Sequence, residues 1–125
     1  MKKIITSPKA PAAVGPYSQA VDAGDLVFLS GQLGLVPETG ELAEGGQAGP
    51  ARQMLENVRA VLAEAGLDFS HVVKTLVFLT DLGNFAAFNA IYAEVFPSDP
   101  PARSCVEISA LPKGGLVEME VIARK

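Results

Sequence analysis

The sequence predicts an α+β fold, in which two helices cover one face of a single mixed β-sheet. Two segments place apolar residues at helical spacing, and the other apolar segments are short and either alternate or are β-branched, as in strands. The predicted order is a strand, a hairpin, a helix, a strand, a helix and two final strands. Residues 1–125 are expected to form one domain, which at this length buries roughly two-thirds of the surface of the unfolded chain.

The first part of the chain predicts a short edge strand at residues 4–6 and then a hairpin. Residues 17–21 and 26–30 are its strands, and Asp22-Ala23-Gly24-Asp25 supplies the turn. The second strand ends in Ser30 and Gly31, where a hydroxyl beside a glycine lets a ligand approach the backbone. The simpler interpretation, that the strand ends at solvent, is favoured on the sequence alone. The long loop that follows is either a flexible rim or part of a site.

The two helices are predicted at residues 50–65 and 85–96. In the first, Pro50 suits the first turn, Gly66 suits the end, and the apolar residues form one stripe that packs on a sheet. In the second, Asn89 shares a face with the rings of Phe85, Phe88, Tyr92 and Phe96. An unpaired amide there costs about 1–3 kcal/mol. Asn89 therefore either bonds to backbone at the edge of the core, which is the favoured interpretation, or lines a pocket.

The remaining strands are predicted at residues 72–80, 103–108 and 116–123. The first is a dense β-branched run and should be central. The second follows Pro100 and Pro101, which exclude a helix. The third alternates, so Val117, Met119, Val121 and Ala123 lie on one side.

The face of the sheet away from the helices is expected to carry a cluster of charged and polar residues. Its members are Arg103, Cys105, Glu107, Glu118 and Glu120, by the alternation of the last two strands. A short loop between these strands would bring a carboxylate near Arg103. The pair would be either a solvated salt bridge or two walls of a cleft, in which Arg103 binds an anionic substrate and a carboxylate handles a proton.

Composition excludes several classes of function. The net charge of −4 and the pI near 4.9 argue against a protein that binds nucleic acid by neutralising phosphates. One cysteine, no signal-peptide pattern and no apolar stretch of membrane-spanning length lead us to expect a cytoplasmic protein. One His and one Cys do not make a His/Cys zinc site, and neither nucleotide-binding glycine motif is present, so neither a zinc site of that kind nor a nucleotide cofactor is expected. Cys105 is read as a packing residue rather than a nucleophile.

The most specific motif is Pro101-Ala102-Arg103-Ser104-Cys105-Val106-Glu107, followed by Leu111-Pro112 and Val117-Glu118-Met119-Glu120. Together these residues resemble the signature of the Rid family, also called YjgF, and in particular its RidA members, which are enamine/imine deaminases. The likeness extends to Gly15-Pro16-Tyr17-Ser18-Gln19, Leu29-Ser30-Gly31-Gln32 and Asn89-Ala90-Ile91-Tyr92. It covers essentially the whole chain.

The resemblance implies a fold similar to that of a trimeric chorismate mutase, with sites in clefts between the subunits of a homotrimer. It implies hydrolysis, without a cofactor, of 2-imino and 2-enamino acids such as 2-aminoacrylate to 2-keto acids and ammonia. Arg103 would pair with the substrate carboxylate and Glu118 would place the water. The other cleft residues would be Tyr17, Ser30 and Asn89, with backbone contacts from Gly31 and Cys105.

Two other functions remain open on the sequence. Relatives suggest a chaperone-like or ligand-binding protein, which the apolar composition favours. Some animal members suggest an RNA-cleaving translation inhibitor, and the acidic pI weighs against that role.

Overall fold

The structure is a computed structural model that describes residues 2–125, so Met1, the first residue of the predicted domain, lies outside it. Over this range the chain forms a six-stranded sheet and two α-helices. The strands are β1 (Lys3–Ile5), β2 (Ala20–Asp22), β3 (Leu26–Leu33), β4 (Val72–Leu79), β5 (Ala102–Glu107) and β6 (Val117–Arg124). The helices are α1 (Ala48–Glu64) and α2 (Phe85–Val95). The α+β class and the order of the elements are confirmed.

The strands lie side by side in the order β1-β2-β3-β6-β4-β5. Every pair is antiparallel except β4 with β5, which are parallel and joined through α2, so the predicted mixed sheet is confirmed. As predicted, β4 is an inner strand. Because it lies between β5 and β6, the last two strands of the chain are not neighbours, and the expected direct pairing between them is wrong.

The hairpin differs most from the prediction. β2 begins at Ala20, so Tyr17 and Ser18 belong to a loop rather than to a strand. β3 runs beyond Ser30 and contains a β-bulge, because Leu29 pairs with Val121 whereas Gln32 pairs with Met119. The bulge inserts one residue and so resets the alternation of side chains at Ser30 and Gly31.

The two helices pack on one face of the sheet, as predicted. The side chains of Val77, Met119 and Val121 on that face are at most 2% exposed. They meet the apolar stripe of α1, whose members Met54, Leu55, Val58, Val61 and Leu62 are at most 3% exposed. On the opposite face Phe28 and Val106 are each 42% exposed, so apolar side chains there are left without cover from residues 2–125.

Asn57 fixes the backbone that leaves β3. This fully buried amide donates from Nδ2 to the carbonyls of Leu33 and Leu35, both at 2.9 Å. Between them, Gly34 crosses α1 so closely that a Cβ would lie 2.2 Å from the carbonyl oxygen of Pro50. The start of the long loop is therefore held against α1 by a side-chain hydrogen bond at each end and close packing between.

We predict that Asn57→Ala lowers the free energy of unfolding by about 2–3 kcal/mol, because the part-buried carbonyl of Leu33 and the buried carbonyl of Leu35 both lose their donor. Chemical denaturation gives the value. Gln53→Ala is the matched control, since Gln53 only donates to Oδ1 of Asn57 at 3.0 Å and leaves both carbonyl bonds in place. Equal destabilisation by the two variants would contradict the assignment.

Candidate active site

The candidate site residues lie in two clusters on opposite faces of the sheet. Arg103 pairs in register with Thr75, on the helix-covered face, whereas Glu118 pairs with Phe78, on the open face. The expectation of a shared open face is correct for Glu118 and Glu120 and wrong for Arg103, Cys105 and Glu107. Alternation within a strand gives only relative orientation, and the register of β4 against its two neighbours decides which face each set occupies.

Arg103 lies against α2. Its Nη1 donates to Oδ1 of Asn89 at 2.8 Å. Its guanidinium lies 4.7 Å from the ring centre of Tyr92 and 5.5 Å from that of Phe85. Salt bridges in residues 2–125 do not include Arg103, so the predicted ion pair with Glu118 or Glu120 is not formed within one copy. The favoured prediction, that the Asn89 side chain bonds to backbone, is therefore wrong. Its Oδ1 accepts a hydrogen bond from the Arg103 guanidinium instead.

Cys105 is on the same strand, two residues beyond Arg103. Burial raises the pKa of its thiol, and the charge of Arg103 opposes this effect only in part. A thiol that keeps its proton is a poor nucleophile, which agrees with a packing role. The N–H of Ile108 donates to the carbonyl of Leu79, towards β4. Because N–H directions alternate along a strand, those of Arg103 and Cys105 point outward from this sheet edge.

Glu118 lies in a large surface cavity of about 580 Å³. Tyr17, Ser30 and Gly31 line the same cavity, so four predicted site residues meet here. The wall also includes Pro37–Gly40 of the long loop, which favours its interpretation as part of a site. Asn89, Arg103 and Cys105 do not line this cavity, and the structure brings them together at β5 and α2 instead.

The bulge in β3 shapes the floor of the cavity. A Cβ on Gly31 would lie 2.6 Å from Cδ of Glu118, so the glycine makes room for the carboxyl group. Ser30 donates from Oγ to the carbonyl of Ser18 at 2.6 Å, which leaves the lone pairs of the hydroxyl free to accept. The Tyr17 hydroxyl accepts from the N–H of Val14 at 3.5 Å.

Burial, and after it the charge of Glu120, raises the pKa of Glu118. The carboxyl group is half-buried, and the salt bridges of residues 2–125 give it no cation. A carboxyl group of raised pKa can hold a proton closer to neutral pH and return it to a substrate. The cavity therefore contains a proton carrier, Glu118, and two hydroxyl groups, those of Tyr17 and Ser30, that can bind water.

No group of three or more His, Cys, Asp or Glu side chains in the described part of the chain is arranged to hold a metal ion. Among the helices of residues 2–125, none is long and apolar enough to cross a membrane. The sequence prediction treated Phe85 and Tyr92 only as aromatic residues of the α2 face. Their cation–π contacts with Arg103 were not predicted. The only available signal in the sequence was an arginine on the strand that follows α2.

Comparisons with known proteins match this chain over nearly its whole length. A family model described as Endoribonuclease L-PSP matches residues 7–125. Protein DfrA of Myxococcus xanthus is 53% identical over 98% of this chain and 95% of its own length. The 2-iminobutanoate/2-iminopropanoate deaminase of Bos taurus is 49% identical over 98% of this chain and 90% of its own length.

Solved structures agree in fold. YyfA of Yersinia pestis, a protein of unknown function of the Rid family, superposes with a TM-score of 0.96 at 46% identity and covers 100% of both chains. TdcF of E. coli, solved with bound serine, superposes with a TM-score of 0.93 at 44% identity and covers 98% of both chains. The similarity thus includes every element that carries the two clusters.

We predict that Glu118→Gln raises the melting temperature at pH 7 and has little effect below about pH 4, near the ordinary pKa of glutamate. The folded state holds this proton more tightly than the unfolded chain does. Wild-type stability therefore falls as pH rises through the raised pKa, whereas glutamine has no proton to lose. Melting curves across this range give the difference. Glu64→Gln, an exposed position on α1, is the control, and a pH-independent difference for Glu118→Gln would contradict the burial effect.

Proposed function

Because this chain belongs to the Rid (YjgF) family, we propose that it is a deaminase that hydrolyses 2-imino and 2-enamino acids to 2-keto acids and ammonia. Relatives named 2-iminobutanoate/2-iminopropanoate deaminase, at 45–49% identity, support imine deaminase activity. The observation that carries the proposal is the Arg103 guanidinium, which is held by Asn89 and lacks a carboxylate partner within residues 2–125.

The substrate carboxylate would bind to Arg103. With one nitrogen committed to Asn89, the guanidinium still has donors for a bidentate pair, the geometry that makes arginine selective for carboxylates. The outward N–H of Cys105 is a third donor at the same edge. TdcF binds serine, which also carries an α-carboxylate, and this supports a ligand of that class.

Glu118 would place the water and handle its proton. Attack of water on the imine carbon gives a carbinolamine, and transfer of a proton to the nitrogen lets it leave as ammonia with formation of the keto carbonyl. A protonated Glu118 can supply this proton and recover one from the attacking water, so the carboxyl group is unchanged after a cycle. Ser30 and Tyr17 would hold the water. The intrinsic barrier is low, so positioning supplies most of the rate.

The catalytic cleft would lie between two copies of the chain. Arg103 and Glu118 are on opposite faces of one sheet, so a single copy does not direct both at one substrate. The uncovered apolar side chains of the open face, including Phe28 and Val106, provide a surface for association. We propose a homotrimer similar to the trimeric chorismate mutases, acting in the cytoplasm to clear reactive intermediates such as 2-aminoacrylate.

The family description Endoribonuclease L-PSP raises RNA cleavage as a second candidate. A net charge of −4 disfavours phosphate binding, and a nuclease-free preparation that leaves RNA intact would remove this candidate. The open apolar face also suits a chaperone-like role. That role predicts suppression of client aggregation independently of Arg103.

We predict that Arg103→Ala lowers kcat/KM for imine hydrolysis by roughly two to three orders of magnitude, since it removes the charged partner of the carboxylate. An amino-acid oxidase supplies imines from several amino acids, and keto-acid formation is followed with and without the protein. Arg52→Ala is the control, because Arg52 forms an exposed salt bridge to Glu94 away from both clusters. Full activity of a folded Arg103→Ala protein would refute the mechanism.

A mixing experiment tests the shared cleft. Arg103→Ala and Glu118→Gln should each be inactive, whereas trimers reassembled from an equal mixture should recover about a quarter of wild-type activity. In a heterologous ring, one interface in four then joins an intact Arg103 to an intact Glu118. Failure to recover activity after confirmed subunit exchange would indicate that both residues act within one copy.

A further inference from the structure

We infer that Tyr92 is a positioning residue, whose ring and anchored hydroxyl hold the Arg103 guanidinium in the orientation that receives a carboxylate. The inference rests on the proposed function, because it concerns the same substrate-binding arginine. Tyr92 would not touch the substrate. It would act through Arg103, together with the exposed ring of Phe85.

The contacts of Tyr92 connect the core to the arginine. Its ring centre lies 4.7 Å from the guanidinium carbon of Arg103, within the range of a cation–π interaction. Its hydroxyl lies 2.9 Å from the Oγ1 of Thr75, a fully buried residue of β4. Thr75 is also the register partner of Arg103 across β4 and β5. The Tyr92 hydroxyl is therefore hydrogen-bonded to the residue of β4 that lies directly beside Arg103 in the sheet.

The ring itself has little freedom. It packs at 4.7 Å on Phe96 and at 5.6 Å on Phe88, and the whole residue is only 6% exposed. With the hydroxyl fixed on Thr75, both the plane of the ring and its depth below Arg103 are determined. Asn89 then fixes the guanidinium within its plane through a single bond of 2.8 Å.

Packing alone does not require a tyrosine at position 92. The two buried hydroxyl groups of Tyr92 and Thr75 satisfy each other, and an apolar pair of the same shape would be about as stable. Burial also raises the pKa of Tyr92, so its hydroxyl stays neutral and does not offer Arg103 a competing phenolate. The hydroxyl pair fixes a ring position without supplying charge.

Orientation matters because arginine is long and flexible. An unsupported side chain loses up to about 2 kcal/mol of rotamer entropy when a ligand fixes it. A guanidinium already stacked on a fixed ring has lost much of this freedom before the substrate arrives. The ring should therefore affect binding of the carboxylate and leave the later chemical step unchanged.

The test measures binding of 2-oxobutanoate by calorimetry and steady-state imine hydrolysis on the same variants. Tyr92→Leu should raise both the Kd and KM about tenfold with kcat within about twofold, as expected for loss of a partly desolvated cation–π contact. Tyr92→Phe and Thr75→Val should each raise Kd only about threefold. Their double variant should match either single one, because all three break the same bond.

Ile91→Ala is the matched control. Ile91 is also a buried residue of α2, at 7% exposed, but it lines a groove with Arg52 and Leu55 of α1 and makes none of the aromatic or cation–π contacts of Tyr92 and Arg103. It should lower the melting temperature and leave Kd unchanged. If Tyr92→Leu does not fold, Phe85→Leu replaces it, since that ring is 37% exposed and lies 5.5 Å from the guanidinium.

The outcomes separate this inference from the proposed function. Weaker 2-oxobutanoate binding in Tyr92→Leu, in a protein that hydrolyses no imine, would support the positioning role and refute the deaminase. An unchanged Kd in Tyr92→Leu and Phe85→Leu, with binding lost in Arg103→Ala, would overturn the positioning role. So would wild-type protein that shows no Arg103-dependent binding of 2-oxobutanoate.

Discussion

The register of the inner strand β4 is the constraint on which the site depends. Paired residues of neighbouring strands share a face, so β4 assigns Arg103 to the side of Thr75 and Glu118 to the side of Phe78. The α+β architecture does not allow both faces to be reached from one direction. Arg103 is directed towards the aromatic face of α2, and the half-buried carboxyl group of Glu118 is directed into the cavity on the open face. In the proposed homotrimer, a second copy would bring the two groups to one substrate.

The polar side chains of the interior divide into those that are satisfied and those that remain available. The side-chain amide of Asn57 donates to two backbone carbonyls, and the hydroxyl groups of Thr75 and Tyr92 form a hydrogen bond with each other. The hydrogen bonds of these three residues therefore stabilise the fold. Arg103 and Glu118 are different, because neither finds an opposite charge within residues 2–125. Leaving a charge unpaired at a half-buried position costs stability, and a ligand that pairs with it recovers that cost.

The sequence was sufficient for features set by local periodicity. The apolar stripe of α1 and the β-branched run of β4 predicted both elements to within two residues. The sequence was insufficient where a contact between residues far apart in the chain determines the orientation of a side chain. The face of Arg103 depends on a register that alternation does not specify, and the bulge at Ser30 and Gly31 leaves no reliable trace in the residue pattern. The close approach of Gly31 to Glu118 follows from that bulge and was equally hidden.

Assembly and acidity would be coupled in the proposed cleft. In the proposed homotrimer, covering the open face would remove more water from Glu118 and raise its pKa further, whereas the guanidinium of a neighbouring copy would lower that pKa. A substrate carboxylate bound to Arg103 cancels much of that positive charge. The pKa of Glu118 should then rise as the substrate binds, so the carboxyl group gains its proton when the imine nitrogen is present to take it. Binding of the carboxylate would thus prepare the acid, and no side chain beyond this pair is needed to time the proton transfer.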